Sequence, residues 1–292
     1  MTFPNLGGNL EKLRERIQEI KKRRPGYGEL LDFYLKVREA QEESKSSLTV
    51  DRIQLNKEWK DLLSREGFSL IQREDLPLDR EASGVLFRTL CRIGKEANPR
   101  MAEQVEMIEK ILDGGQVDVK DWIGKGMRQQ EVERIAVERG LDQKILSFLI
   151  EESVRPSVEV AVEQLRAELD PENWLKTYCP ICGSLPSLSL FKGEAGKRYL
   201  FCPLCGYRWR IDRLICPFCG NREQGSLLYL YAEGEEFYRI DLCERCHQYI
   251  KTIDWRQGEG SDPCMDDLAT LHLDILASQK GYKRPVPNAW TD

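Results

Sequence analysis

The sequence predicts an α+β protein: an all-helical amino-terminal domain, then two tandem rubredoxin-like or zinc-ribbon metal modules, then a C-terminal helix and tail. Three observations predict it. Apolar residues recur at helical spacing from residue 9 to about residue 170. Four Cys-x-x-Cys pairs then follow one another between Cys179 and Cys246. Short β-type runs, separated by glycine-containing turns, fill the space around those pairs. The domain boundaries this implies are 1–172 for the helices, 173–213 and 214–258 for the two ribbons, and 259–292 for the closing helix and tail.

Each element has its own reason. Leu10, Leu13, Ile17 and Ile20 form the stripe of a first helix that stops at Pro25-Gly26. Leu30, Leu31, Tyr34, Leu35 and Arg38 carry a second. A third is expected over 51–65, from Ile53, Leu55, Trp59, Leu62 and Leu63, with Gly67 as the left-handed residue that closes it. Further helices are expected over 80–97, 99–112, 119–124, 128–139, 142–150 and 156–169. Pro156 serves there as a first-turn residue or a kink. Strands are expected over 187–191, 198–201, 227–231, 237–241 and 249–253. A last helix takes Asp262 as N-cap and Pro263 as its first residue, with Leu268, Leu271, Ile275 and Leu276 on its apolar face and His272 beside them.

Composition narrows the function classes. The chain carries 44 basic and 49 acidic residues in 292, a formal charge of −5, which argues against a general nucleic-acid binder. No apolar run reaches the ~18 residues a bilayer crossing needs, so no membrane insertion is expected. The first residues lack the apolar segment of a secretory signal. The basic run Lys21 to Arg24 reads as a helix end favoured by the dipole. A cytoplasmic location follows as an expectation, and in a reducing compartment clustered cysteines point to metal rather than disulfides.

Eight of the ten cysteines form the pairs Cys179/Cys182, Cys202/Cys205, Cys216/Cys219 and Cys243/Cys246. In the first three, a glycine (Gly183, Gly206, Gly220) follows the second cysteine and permits the positive φ that turns both sulfurs toward one ion. Nineteen residues separate Cys182 from Cys202, and twenty-three separate Cys219 from Cys243. Both fit ribbon spacing, so the first two pairs make one four-sulfur site and the last two another. Pairing Cys202/Cys205 with Cys216/Cys219 is the competing arrangement. The ten residues between them alternate as a strand that joins two ribbons, which favours sequential pairing. A set of thioredoxin-type redox motifs would need a βαβ context that is missing. Two metal ions, iron or zinc, suit these tetrahedral sulfur sites. A closed four-sulfur site has no open position for hydrolytic catalysis, and nothing in the helical domain forms a catalytic constellation, so no enzyme is expected. Cys91 reads as a packed thiol, Cys264 as a bystander, and His247 as a turn residue in place of the fourth knuckle glycine or as a spare ligand.

The segments CPICGSLP, RYLFCPLCGYRWRIDRLICPFCG, LCERCHQYIKTID and DDLATLHLDILASQKGYKR, within about 177–284, resemble the FdhE family of formate dehydrogenase accessory proteins. His247 departs from the small residue expected at its place. The resemblance implies a non-catalytic cytoplasmic maturation factor that binds the catalytic subunit of a molybdenum- or tungsten-dependent formate dehydrogenase, with iron bound in rubredoxin fashion. Trp209, Arg210, Arg213, Tyr249, Lys251, Asp266 and Asp267 are the expected partner-binding residues. A zinc-ribbon adaptor for nucleic acid or transcription machinery and a rubredoxin-like electron carrier are the alternative readings. Exposed β edges on the two ribbons permit a homodimer.

Overall fold

The computed structural model describes residues 10–56, 58, 65–115, 117–169, 172–235, 237–256, 262–288 and 290. Contacts group Asn9–Gln54 with Arg73–Gln164 in one unit, and Leu55–Gln72 with Leu165–Thr291 in the other. The boundary drawn at 172 therefore shifts. The stretch Leu55–Gln72 sits with the cysteine-bearing unit, because the Leu70 N–H donates to the Pro180 carbonyl at 2.8 Å and the Ile71 N–H to the Ile181 carbonyl at 3.0 Å. Of the helix expected over 51–65, residues 51–56 are not helical, while Trp59, Leu62 and Leu63 lie outside the described residues. Gly67 does take the left-handed conformation, with φ of 80°.

The helical unit is built from α1 (Leu10–Arg23), α2 (Gly28–Lys45), α3 (Arg80–Lys95), α4 (Pro99–Asp113), α5 (Val119–Lys125), α6 (Gln129–Arg139) and α7 (Gln143–Arg166). Their starts are set by side-chain caps. Asp79 accepts from the Ala82 N–H, Asn98 from the Met101 N–H and Asp118 from the Lys120 N–H, each at 2.9 Å. Helix α3 is the hub and contacts α2, α4 and α5. It buries Leu86, Phe87, Leu90 and Cys91, and Phe87 meets Trp122 edge-on with centroids 6.4 Å apart. Burial pushes the Cys91 thiol up to about 12, which leaves it protonated and inert.

One sequence expectation fails for an instructive reason. The stretch expected as two helices, 142–150 and 156–169, is the single helix α7, with Pro156 inside it. Proline has no N–H to give the carbonyl four residues back, which belongs to Glu152. The buried Gln41 side chain supplies the missing donor: its amide donates to the Glu152 carbonyl at 2.8 Å and to the Glu152 carboxylate at 2.8 Å. Arg38 in turn donates to the Gln41 side-chain oxygen at 2.7 Å, and Arg155 donates to the Glu152 carboxylate. Helix α2 thus repairs the gap in α7.

The second unit is a six-stranded sheet. Its strands are β1 (Leu188–Lys192), β2 (Lys197–Phe201), β3 (Arg208–Ile211), β4 (Leu227–Tyr231), β5 (Tyr238–Cys243) and β6 (Gln248–Asp254), ordered β3-β2-β1-β6-β5-β4. The two ribbons are therefore not separate modules. Each contributes three antiparallel strands, and the parallel pair β1–β6, with Leu188 opposite Lys251 and Leu190 opposite Ile253, fuses them into one sheet. On one face, Leu188, Leu190, Tyr199, Phe201 and Ile253 form one apolar cluster, while Ile240, Leu242 and Tyr249 pack with Leu273 and Ala277.

The closing helix is two helices, α8 (Pro263–Leu268) and α9 (Leu271–Gln279). Asp262 caps α8 by accepting from the Cys264 N–H at 2.9 Å. At the break, Lys251 reaches from β6 and donates to the Asp267 carbonyl at 2.8 Å and to the Thr270 hydroxyl at 3.2 Å. A cation against the last carbonyls of α8 stabilises an end there. Ile275, expected on the apolar face, is 60% exposed, and Leu273 and Ala277 are the buried residues of α9 instead. His272 is half-buried, with Nε2 3.0 Å from the Glu235 carboxylate.

Candidate metal centres

Four knuckles repeat one backbone device. The N–H of Gly183, Gly206, Gly220 and His247 donates to the carbonyl of Cys179, Cys202, Cys216 and Cys243 respectively, at 2.9–3.0 Å. Each of those four residues has positive φ, between 53° and 74°. His247, the departure noted in the sequence, adopts the glycine conformation and is the turn residue. It is the single non-glycine with positive φ among the described residues, at a cost of about 1–2 kcal/mol.

The knuckles converge in the sequential pairing. Cys179, Cys182, Cys202 and Cys205 form one group and Cys216, Cys219, Cys243 and Cys246 the other, with all sulfurs in each group within 4.8 Å of one another. Sγ···Sγ edges measure 3.5 Å in the first (Cys179–Cys205, Cys182–Cys202) and 3.7 Å in the second (Cys216–Cys246, Cys219–Cys243). Four sulfurs about 2.3 Å from one centre have edges of about 3.8 Å, so both groups fit a tetrahedral thiolate-bound ion. Chemistry agrees with geometry: burial drives the Cys179 and Cys205 thiols well above their ordinary value, and a bound cation is what permits four thiolates in that interior. Both sites fit a metal; each is closed by four protein ligands.

The supports of the two sites differ. Around the first, Trp174 Nε1 donates to the Tyr178 carbonyl at 2.8 Å and Trp209 Nε1 to the Lys176 carbonyl at 2.9 Å, while the Tyr178 hydroxyl donates to the Gly67 carbonyl. Residues 67–71 therefore brace the first knuckle from outside the cysteine segment. Nothing in the sequence pointed to this bracing. At the second site the Asn221 amide reaches Cys243 Sγ at 3.6 Å. Burial there acts to raise the Cys243 thiol, but the Cys246 N–H, the Asn221 amide and the Arg245 N–H outweigh it and hold it at about 7. Burial pushes Cys216 up to about 11.

The residues expected to bind a partner fall into two classes. Trp209, Tyr249, Lys251, Asp266 and Asp267 are buried, and their polar atoms are used internally. Lys251 bonds to Asp267 and Asp274, Arg284 to both of the same carboxylates, the Tyr249 hydroxyl to Asp274 at 2.8 Å, and the Tyr238 hydroxyl to Asp266 at 2.7 Å. Tyr249, Lys251, Asp266 and Asp267 hold the sheet to its helices, Trp209 braces the first knuckle, and none of the five presents a surface. Arg210 is half-exposed, with Nη1 3.3 Å from Glu172, and Arg213 is exposed. Arg198 was missed. It is buried in β2, donates to Ser189, to the carbonyls of Arg213 and Ile215, and to Asp241, and so ties the inter-ribbon linker to the sheet. Cys264 packs against the apolar cluster of the first ribbon, as a bystander would.

Residues 178–213 match the family model described as "FdhE, central domain", and residues 214–290 match "FdhE, C-terminal domain". Residues 178–290 are thus similar to the FdhE family. Among relatives, the Protein FdhE homolog of Aquifex aeolicus (strain VF5) is 33% identical over 149 residues, 50% of this chain and 52% of that protein. The homolog of Shewanella oneidensis is 39% identical over 112 residues, 38% of this chain and 37% of that one. The matched part of the chain thus spans about half or less of these relatives. The crystal structure of the FdhE protein from Pseudomonas aeruginosa has the same fold, with a TM-score of 0.65 over 99% of this chain and 97% of that one at 20% identity. Among the described residues, no helix is long and apolar enough to cross a membrane.

Proposed function

We propose that the chain is a cytoplasmic accessory factor that binds the catalytic subunit of a molybdenum- or tungsten-dependent formate dehydrogenase and is needed for its activity. The observation that carries this reading is the FdhE match over 178–290, which includes both four-cysteine groups. The geometry is consistent with an assembly role. When bound, the ions supply folding energy, since a site of four protein thiolates offers no exchangeable position for substrate. Cys179, Cys182, Cys202 and Cys205 hold the first ion, and Cys216, Cys219, Cys243 and Cys246 the second; iron and zinc both suit such sulfur sets. Of the expected contact residues, Arg210 and Arg213 retain access to solvent, and the partner surface is proposed to include them.

The test is affinity purification of the tagged chain from its host under anaerobic growth, with the captured proteins identified by mass spectrometry. The formate dehydrogenase catalytic subunit is expected among them, and its activity is expected to fall when the chain's gene is deleted. Full activity in the deletion strain would refute the proposal.

A further inference from the structure

Strand β4 ends the sheet, paired to β5 alone; the Leu227 N–H is taken by the Gln224 carbonyl, and the outward backbone groups of Tyr229 and Tyr231 make no hydrogen bond among the described residues. Its sequence, LLYLY, contains none of the usual edge protections of lysine, proline or an inward charge. Leu228, Tyr229 and Tyr231 are 40%, 59% and 48% exposed, unusual for large side chains on a natural edge.

The two faces of this edge differ chemically. Leu228 and Leu230 share the face whose register partners are Leu242 and Ile240. Tyr229 and Tyr231, edge-on to each other at 5.6 Å, share the opposite face with Asp241 and Arg239. There the Arg239 guanidinium lies between the rings of Phe191 (4.5 Å) and Tyr229 (5.2 Å), with Nε 2.8 Å from Asp241. Arg213 stacks over Phe191 at 5.1 Å. The terminal nitrogens of Arg239 and the whole guanidinium of Arg213 make no hydrogen bond or ion pair among the described residues. The acids on this face are already engaged: Asp241 with Arg198, Arg239 and Thr252, and Asp254 with Arg256. A shallow cleft opens here, lined by Arg213, Leu214, Phe218, Tyr229 and Arg239.

We infer that β4 is a docking edge for an extended peptide segment of alternating apolar and acidic residues, which adds as a seventh strand. Backbone pairing supplies the affinity. Apolar side chains meet Leu228 and Leu230, and carboxylates on the other face meet Arg239 and Arg213. Charge selects this occupant over a second copy of the chain. Two-fold antiparallel pairing of β4 with itself would bring both Arg213/Arg239 pairs to one face with no free acid between them. The inference extends the accessory reading without needing it, because the peptide chemistry is read from the edge itself. Capture of a dehydrogenase subunit and binding of a peptide can each fail alone.

The experiment uses the full metal-loaded chain and fluorescence anisotropy with labelled heptapeptides: TVEVEVT, its lysine counterpart TVKVKVT, and two N-methylated forms of TVEVEVT, each blocking one backbone edge. The glutamate peptide is expected to saturate, the lysine peptide to bind about tenfold more weakly or less, and one of the two N-methylated forms to lose binding. The double variant Arg213→Gln/Arg239→Gln is expected to bind the glutamate peptide about tenfold more weakly. Three results would each overturn the inference: no saturation by TVEVEVT up to about 1 mM, equal binding of the two charge forms, or undiminished binding of both N-methylated forms. Sedimentation showing a dimer that the peptide cannot dissociate would assign the edge to a second copy and also overturn it. The comparisons between peptides use the unmodified chain, so an unfolded variant does not blunt the test.

Discussion

The two metal sites share one framework and differ in their surroundings. All four cysteines of the first are buried, and aromatic residues and an early segment of the chain brace it. In the second, Cys219 and Cys246 are half-exposed, and the fourth knuckle carries His247 where the others carry glycine. The two sites thus share one ligand geometry, one placed in a core and the other near solvent. A core site contributes to folding; a site near solvent keeps that contribution but exchanges more readily.

That contrast can be broken or sharpened by experiment, most strongly at the ligands. Cys205→Ser in the first site removes a metal whose binding is worth about 10–16 kcal/mol, comparable with the whole stability of a domain. The sheet unit is expected to lose its near-ultraviolet circular dichroism and its resistance to proteolysis. Cys219→Ser in the second site is expected to leave a folded chain holding one ion by metal analysis instead of two. If both variants behave alike, the contrast is gone.

Next in size is Asp267→Asn, a change remote in role from either metal, which leaves Lys251 and Arg284 short of a buried partner. It is expected to cost about 3–5 kcal/mol in denaturant unfolding while the order of metal release stays as in the wild type. Its pH dependence has a definite sign. Burial acts to raise the Asp267 carboxyl, but Lys251 and Arg284 outweigh it and hold it below the usual carboxylate range. A depressed folded value means the stabilisation is present above about pH 4 and is lost as pH falls through the lower folded value. The stability gap between wild type and variant should close on acidification and stay constant from pH 6 to about pH 8.

Competition with a coloured chelator under native conditions gives the direct comparison of exchange. Two phases are expected, with the second site released about tenfold faster, a difference of about 1.4 kcal/mol in barrier. Loss of the fast phase in Cys219→Ser would assign it. The smallest effect is expected from His247→Gly, which relieves positive-φ strain and should stabilise the chain by up to about 1 kcal/mol in thermal unfolding. A destabilised variant would show that the imidazole, 5.9 Å from the Tyr282 ring, contributes more than its backbone conformation costs.

Local features of the sheet unit were legible in the sequence because local chemistry sets them. Cysteine spacing gave the pairing of the ligands, glycines gave three of the four turns, and Asp262 with Pro263 gave the start of α8. What was not legible depends on partners distant in sequence. Pro156 signals a helix end by every local rule, and only Gln41, more than a hundred residues earlier, shows why α7 continues. Lys251 reads as a charged strand residue that belongs on a surface, yet five internal acceptors and a helix break take it inside. Trp209 suggested a contact surface for the same reason: its type is visible in sequence, its burial is not. The parallel seam β1–β6 left no mark at all, since each strand looks complete within its own ribbon.

That seam sets the order in which the protein can be made. Once Cys205 has left the ribosome the first site has all its ligands, yet β1 is bonded on one side only. Its other partner, β6, lies about 55 residues further along the chain. At about 5–20 residues per second the nascent chain carries Leu188–Lys192 as a bare hydrophobic edge for several seconds. Synthesis of the second ribbon ends this exposure, so a ribosome stalled between Lys192 and Gln248 would leave a metal-loaded half-sheet with an open, adhesive edge.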